Sequence, residues 1–263
     1  MTPFLDLGPF LLVAAGLAGL VVGSFLNVLV HRLPRGESVV SPGSHCPKCG
    51  APVTALQNVP VISWLALRGR CATCRAPIAI RYPAMELANG ALWVLVALKG
   101  RDWGEIASGA FLASACLALL AIDAEFQILP DKITLTGIAA GLALSFLSRS
   151  RSPVSAFVGA AVGAGGLWLV AFVYERIAGH EGMGFGDVKM LGMIGAFLGP
   201  WGVLVTILLA SVTGSIVGVG LIAAGAGDRK LKLPFGVFLA VGAIAAFFFG
   251  GSLVDRYRAM WPQ

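Results

Sequence analysis

The chain has 263 residues, of which 57% are hydrophobic and only 12% charged, with a mean hydropathy of +0.87. Water-soluble domains carry about 25% charged residues, so most of this chain is expected in lipid, as an all-α polytopic membrane protein. The net charge of +6 does not indicate nucleic acid. No polar segment has a basic stripe with interleaved aromatics, and basic residues collect in the cytoplasmic loops of membrane proteins.

A membrane-crossing helix needs about 20 mostly apolar residues. The first nine residues lack the basic stretch of a cleaved signal peptide, so residues 9–30 are read as a retained span. Gly16, Gly19 and Gly23 within it suit close helix packing. Residues 31–82 form the only long polar segment. Further spans are expected at 83–98, 106–122, 133–147, 154–177, 188–199, 201–224 and 234–254, eight in all, the sixth being short. No repeat period is evident. If the 31–82 loop is cytoplasmic, thirteen of the nineteen Lys and Arg residues fall on that side, and the positive-inside rule favours that orientation.

Within this loop stand Cys46-Pro-Lys-Cys49-Gly50 and Cys71-Ala-Thr-Cys74. Each short turn brings two thiolates to one point, and two such turns complete a tetrahedral zinc site. Gly50 suits the tight bend after the second thiolate. Disulfides are the alternative, but they need an oxidising compartment; a redox pair usually comes singly. With no His or carboxylate in reserve for an open position, a structural Zn2+ on Cys46, Cys49, Cys71 and Cys74 is expected. Cys116, alone in an apolar span, is read as packing.

Acids at membrane depth are functional candidates by default. Asp123 closes the third span and Asp187 opens the sixth, and chain direction places both near the cytoplasmic face. Two carboxyl groups sharing one site cannot both ionise comfortably, so one keeps a proton while the other activates water. Gly182, Gly184 and Gly186 alternate before Asp187, leaving bare backbone where a substrate strand can pair. The plain alternative is a flexible loop followed by an acid favoured by the helix dipole. Asp131 is expected as a helix cap and Glu125 as a solvated loop acid. Glu86 enters the second span, either lining the cavity or pairing with Arg81. By helix dipoles alone, Asp123 at a C-terminus would hold the shared proton and Asp187 at an N-terminus would act as the base.

The residues also match a family. Gly23-Ser24-Phe25-Leu26-Asn27-Val28, His31-Arg32-Leu33-Pro34, the two Cys-x-x-Cys turns and Asn58-Val59-Pro60 occur in order. Arg68-Gly69-Arg70-Cys71, Arg81-Tyr82-Pro83, Asp123, Leu129-Pro130-Asp131, the 182–189 stretch and Pro234-Phe235-Gly236 follow. With this set the chain resembles bacterial type IV prepilin peptidases over nearly its whole length. One departure is Gln57, where Asp is common.

The resemblance implies an inner-membrane aspartic peptidase that cuts prepilins and pilin-like type II secretion subunits after a leader Gly, at the cytoplasmic face. Asp123 and Asp187 would be its catalytic pair, with Gly184, Gly186, Glu86 and Lys189 as candidate substrate contacts. Members with the cysteine loop also methylate the new N-terminus from S-adenosylmethionine. No glycine-rich cofactor fingerprint occurs here, so Asn27, Arg32 and Gly69 stand as methyl-donor candidates from family motifs only. The implied domains are a first span (1–30), a zinc-binding, methyltransferase-associated loop (31–82) and a peptidase core (83–263). Rival readings are a presenilin-like intramembrane protease, which would not be expected to carry the cysteine loop, and a zinc-ribbon scaffold. A small-solute transporter would place its acids at mid-span.

Overall fold

A computed structural model describes residues 8–180, 183–225 and 233–260. Gly182 of the glycine run and the basic residues Arg229, Lys230 and Lys232 lie outside the described residues. Among the described residues there are eight α-helices and no β-strand: α1 (Gly8–Arg32), α2 (Ile62–Ala66), α3 (Arg81–Lys99), α4 (Trp103–Phe126), α5 (Asp131–Ser145), α6 (Pro153–Ala178), α7 (Phe185–Ala223) and α8 (Phe235–Ala259). Five helices are long and apolar enough to cross a membrane, namely α1, α4, α6, α7 and α8. At about 1.5 Å per residue, the 15-residue α5 falls short of a ~30 Å hydrocarbon core.

The chain divides into two compact units, residues 1–101 and 102–263. Within the first unit α3 packs on α1. Glycines make that contact possible. A Cβ on Gly19 would stand 2.9 Å from the Gly90 Cα, and one on Gly23 only 2.7 Å from the Glu86 Cα. Asn89 Nδ2 donates to the Gly19 carbonyl at 2.7 Å, and Asn27 Nδ2 to the Tyr82 carbonyl at 3.1 Å. These bonds keep two buried amides satisfied where lipid offers no partner.

In the second unit α4 and α6 start where the sequence supplies a capping side chain. Asp102 accepts the Glu105 N–H at 2.8 Å to begin α4, and its other oxygen takes the Arg149 N–H at 3.2 Å. Burial works against the Asp102 carboxylate, but the N–H groups of Glu105, Arg149, Ser150 and Gly104 outweigh it and hold the group below its ordinary range. Ser152 caps α6 through the Ser155 N–H, with Pro153 at the first helical position, where a missing donor costs nothing.

Two expected spans, 188–199 and 201–224, are the two limbs of α7. The helix breaks at Gly199, whose φ of 69° and ψ of −180° are non-helical, and Pro200 supplies no N–H to bridge the break. A straight helix would put Gly186 and Gly218 about 48 Å apart. Instead, Gly186 and Gly236 both meet Leu129, while Gly218 meets Leu233 just before α8. The chain therefore reverses at Gly199, and the second limb runs antiparallel to α8, with Gly242 against the Thr206 carbonyl.

The first limb packs on α6 backbone to backbone. A Cβ on Gly195 would lie 2.0 Å from the Gly159 carbonyl oxygen, and one on Gly163 would lie 2.4 Å from that of Leu191. Gly159→Val is accordingly expected to destabilise by about 3 kcal/mol or more. Gly165→Ala, which meets nothing within 4 Å, should leave the melting temperature in detergent unchanged or slightly raised. Equal melting of the two variants would contradict this packing.

Candidate active site and metal centre

Asp123 sits in the last turn of α4 and Asp187 in the first turn of α7; the two are only 5% and 9% exposed. Asp187 lies close enough to Asp123 to feel its charge. Local structure explains the placement. After Asp123 the chain leaves α4 through Gln127, whose left-handed φ of 53° lets its N–H cap the Asp123 carbonyl at 2.9 Å. The turn carries Leu129 inward. Its Cβ stands 2.9 Å from where a Cβ on Gly186 would be, and its Cδ2 3.0 Å from where one on Gly236 would be. A single leucine thus spaces the start of α7 from the start of α8.

A third element completes the site. Asp123 Oδ2 accepts the Val237 N–H of α8 at 3.0 Å, and a Cβ on Gly236 would meet the same oxygen at 2.8 Å. Asp123 therefore faces the positive end of α8 as well as the negative end of its own helix. The expectation that Asp123 is the neutral member weighed the ends of α4 and α7; the start of α8 adds a donor that favours the Asp123 anion. Two buried carboxylates in charge contact favour a shared proton, and such a pair can take a proton from water while giving one to a carbonyl oxygen.

The glycines before Asp187 divide by environment. The open side of Gly186 is filled by Leu129, so its missing Cβ serves the protein's own packing. At Gly184, the residue before α7, a Cβ would be 3.6 Å from Asp187 Oδ2 with little else nearby; bare backbone remains beside the acid. Lys189 Nζ holds both Asp131 oxygens, at 2.7 and 2.8 Å, over the Phe185 ring. Asp131 is the first residue of α5, and no side chain caps that helix. The expected cap is instead the partner of Lys189. Glu125 is exposed, as expected, but it lies in the last turn of α4 rather than in a loop.

Glu86 belongs to the first unit. It is 8% exposed, and its Oε2 accepts the Val61 N–H at 2.8 Å. Val61 has a φ of 62°, costly for a β-branched residue, so the carboxylate clamps a strained turn. Of the three methyl-donor candidates, only Arg32 borders the groove of ≈ 340 Å³ between α1 and the 39–60 loop. Its guanidinium donates to the Ser38 and Gly43 carbonyls. Asn27 is committed to the Tyr82 carbonyl. Gly69, at a φ of +66°, lies beneath the Trp64 ring, 2.9 Å from where its Cβ would be. Neither Asn27 nor Gly69 lines that groove.

The four loop cysteines do converge. All four sulfurs lie within 4.8 Å of one another, and Cys46 Sγ and Cys74 Sγ are 3.8 Å apart. Four sulfurs at about 2.3 Å from a tetrahedral Zn2+ have edges near that length. The backbone repeats as well. Cys46 N–H bonds the Ala51 carbonyl and Gly50 N–H the Cys46 carbonyl, and Cys71–Ala76 and Arg75–Cys71 reproduce both bonds. Gly50 and Arg75 take the same left-handed turn, at φ of 70° and 59°. The spacing reveals a short internal repeat, Cys-x-x-Cys-x-Ala-Pro, that a search for long periods passes over.

Electrostatics suits a cation. The N–H groups of Cys74 and Thr73 hold the Cys71 thiol down at about 6, and those of Cys49 and Lys48 lower Cys46. Ala51 N–H does the same for Cys49. There, burial and the sulfurs of Cys74, Cys46 and Cys71 outweigh it and push the thiol up to about 11. Thiolates crowded this closely oppose one another until a metal neutralises them.

Comparison with known proteins places this geometry in context. Residues 17–100 match the bacterial peptidase A24 N-terminal domain, and residues 110–219 match the type IV leader peptidase family. A prepilin leader peptidase/N-methyltransferase of Burkholderia pseudomallei is 40% identical over 88% of this chain and 83% of its own. Proteins of the same name from Stutzerimonas stutzeri and Aeromonas hydrophila are each 37% identical, covering 98% of both chains and 92% and 91% respectively. No solved structure matches.

Proposed function

We propose that this chain, which belongs to the type IV leader peptidase family, removes the leader of prepilins and pilin-like secretion subunits after Gly and methylates the new N-terminus. The observation that carries the peptidase reading is the pair of buried carboxylates, Asp123 and Asp187, at the adjoining ends of α4 and α7. The excess of Lys and Arg on one side supports a cytoplasmic-membrane enzyme working at the inner face, within residues 102–263.

The proposed chemistry uses this chain's own groups. Asp123, holding the Val237 N–H, is the anion, because a donor aimed at a carboxylate stabilises its charged form. It takes a proton from water, and the resulting hydroxide attacks the scissile carbonyl carbon. Asp187 gives its proton to the carbonyl oxygen. As the tetrahedral carbon collapses, one hydroxyl returns its proton to Asp187 while C=O re-forms, the C–N bond breaks, and the leaving amine takes the proton that Asp123 gained. Gly184 offers the bare backbone along which an extended substrate segment pairs beside Asp187.

The cysteine loop suits a structural Zn2+ on Cys46, Cys49, Cys71 and Cys74, and residues 31–82 are the proposed methyltransferase region. S-adenosylmethionine would supply the methyl group. Of Asn27, Arg32 and Gly69, Arg32 lines the groove beside α1; no step is routed through the three.

The test is purified protein mixed with a prepilin bearing its leader, with and without S-adenosylmethionine, followed by mass spectrometry. The expected result is cleavage after the leader Gly and a methyl increment on the product only when the donor is present. Absence of any cleavage by folded protein would overturn the substrate assignment.

A further inference from the structure

Pro234-Phe235-Gly236 is one of the sequence elements to which the chemistry above gives no role. In the structure it delivers the start of α8 onto Asp123. The helix begins at Phe235, so the Val237 N–H is among the first four, which have no partner within the helix. That donor reaches Asp123 Oδ2 at 3.0 Å, across 114 residues of sequence. The Cα of Gly236 lies under the same carboxylate: an added Cβ would be 2.8 Å from Oδ2 and 3.1 Å from Cγ. Leu129 closes the other side of Gly236. The carboxylate is confined between a donor, a bare Cα and an apolar wedge.

We propose that the first turn of α8 is a positioning device for Asp123. Val237 N–H fixes the orientation of the carboxylate and favours its anionic form, Gly236 admits it against the helix, and Leu129 sets its separation from the Asp187 segment. This rests on the reading of Asp123 as the base. The competing account is that Asp123 is only a remote cap for α8, in which case loss of the bond costs stability and leaves turnover alone.

Val237→Pro separates the two. Proline is tolerated in a first helical turn, and Gly236 before it accepts the steric demand that Pro places on its neighbour. The substitution deletes one N–H that the helix does not use. The expected result is a ten- to hundredfold fall in kcat, on the scale of one charge-assisted hydrogen bond, with KM within about twofold and the melting temperature unchanged. Val237→Ala restores the donor, and with it most of the lost rate. Gly236→Ala, which crowds the carboxylate, should also lower kcat more than it raises KM.

An unchanged kcat in Val237→Pro overturns the positioning role if Asp123→Asn is inactive in the same assay. If Asp123→Asn itself cleaves at the wild-type rate, the underlying reading of Asp123 falls instead. Where Val237→Pro also melts early, Gly236→Ala decides: a kcat-selective loss supports the device, and wild-type kcat overturns it.

Discussion

Asp123→Asn and Asp187→Asn are each expected to lower prepilin cleavage by at least about a thousandfold, since general acid–base groups contribute 10²–10⁴ and this pair acts as one unit. Asn can neither take the proton from water nor return one to the leaving amine. The geometry makes the substitution clean. In Asp123→Asn the amide oxygen can still accept the Val237 N–H that Asp123 accepts at 3.0 Å, so the start of α8 stays anchored. Removing one of two buried, mutually repelling carboxylates should keep or raise the melting temperature. The double variant should be no slower than either single one. Methylation of a pre-cut pilin should persist in both single variants, because the proposed methyltransferase region contains neither residue. Wild-type cleavage by either variant would remove that residue from the pair.

Stripping metal from the cysteine loop has the second large expected effect. Structural zinc contributes on the order of 10 kcal/mol to the folding of small metal-dependent modules. The 44–53 and 69–78 segments are held mainly by short turns and two isolated bridges, His45–Pro52 and Arg70–Pro77. A strong chelator, or Cys71→Ser, is therefore expected to open residues 36–80 to protease. Helicity by circular dichroism should change little, because the α1–α3 contact at Gly19, Gly23 and Gly90 does not pass through the cysteines. Elemental analysis of untreated protein should find about one zinc per chain. A metal-free protein with the same protease resistance would overturn the zinc assignment.

The sequence was most informative where chemistry is local. Mean hydropathy alone places the chain in lipid. The two Cys-x-x-Cys turns announce a four-sulfur cluster because a turn of that length brings two thiolates to one point. The parity of spans placed Asp123 and Asp187 at the same end; in the fold, Leu129 lies against both Gly186, just before Asp187, and Gly236, beneath Asp123. Gly199-Pro200 stood between two expected spans, and the break there is of the kind only such a pair makes: a positive φ followed by a missing donor.

Lateral neighbours were another matter. Gly186 was read as bare backbone for a substrate, yet Leu129 fills its open side. Glu86 was read as lining a cavity or pairing with Arg81, and its carboxylate clamps Val61. Asp131, read as a cap, holds Lys189 from 58 residues away. Asp123, assigned by the dipole of its own helix, answers to the start of a helix far along the chain. Periodicity and composition determine which segments become helices, which way each runs, and at which end a charged residue lies. They carry no information on which helices become neighbours. That is set by backbone-to-backbone contacts, such as Gly159 on Gly195, between distant segments, and only the folded chain decides which N–H meets which carboxylate.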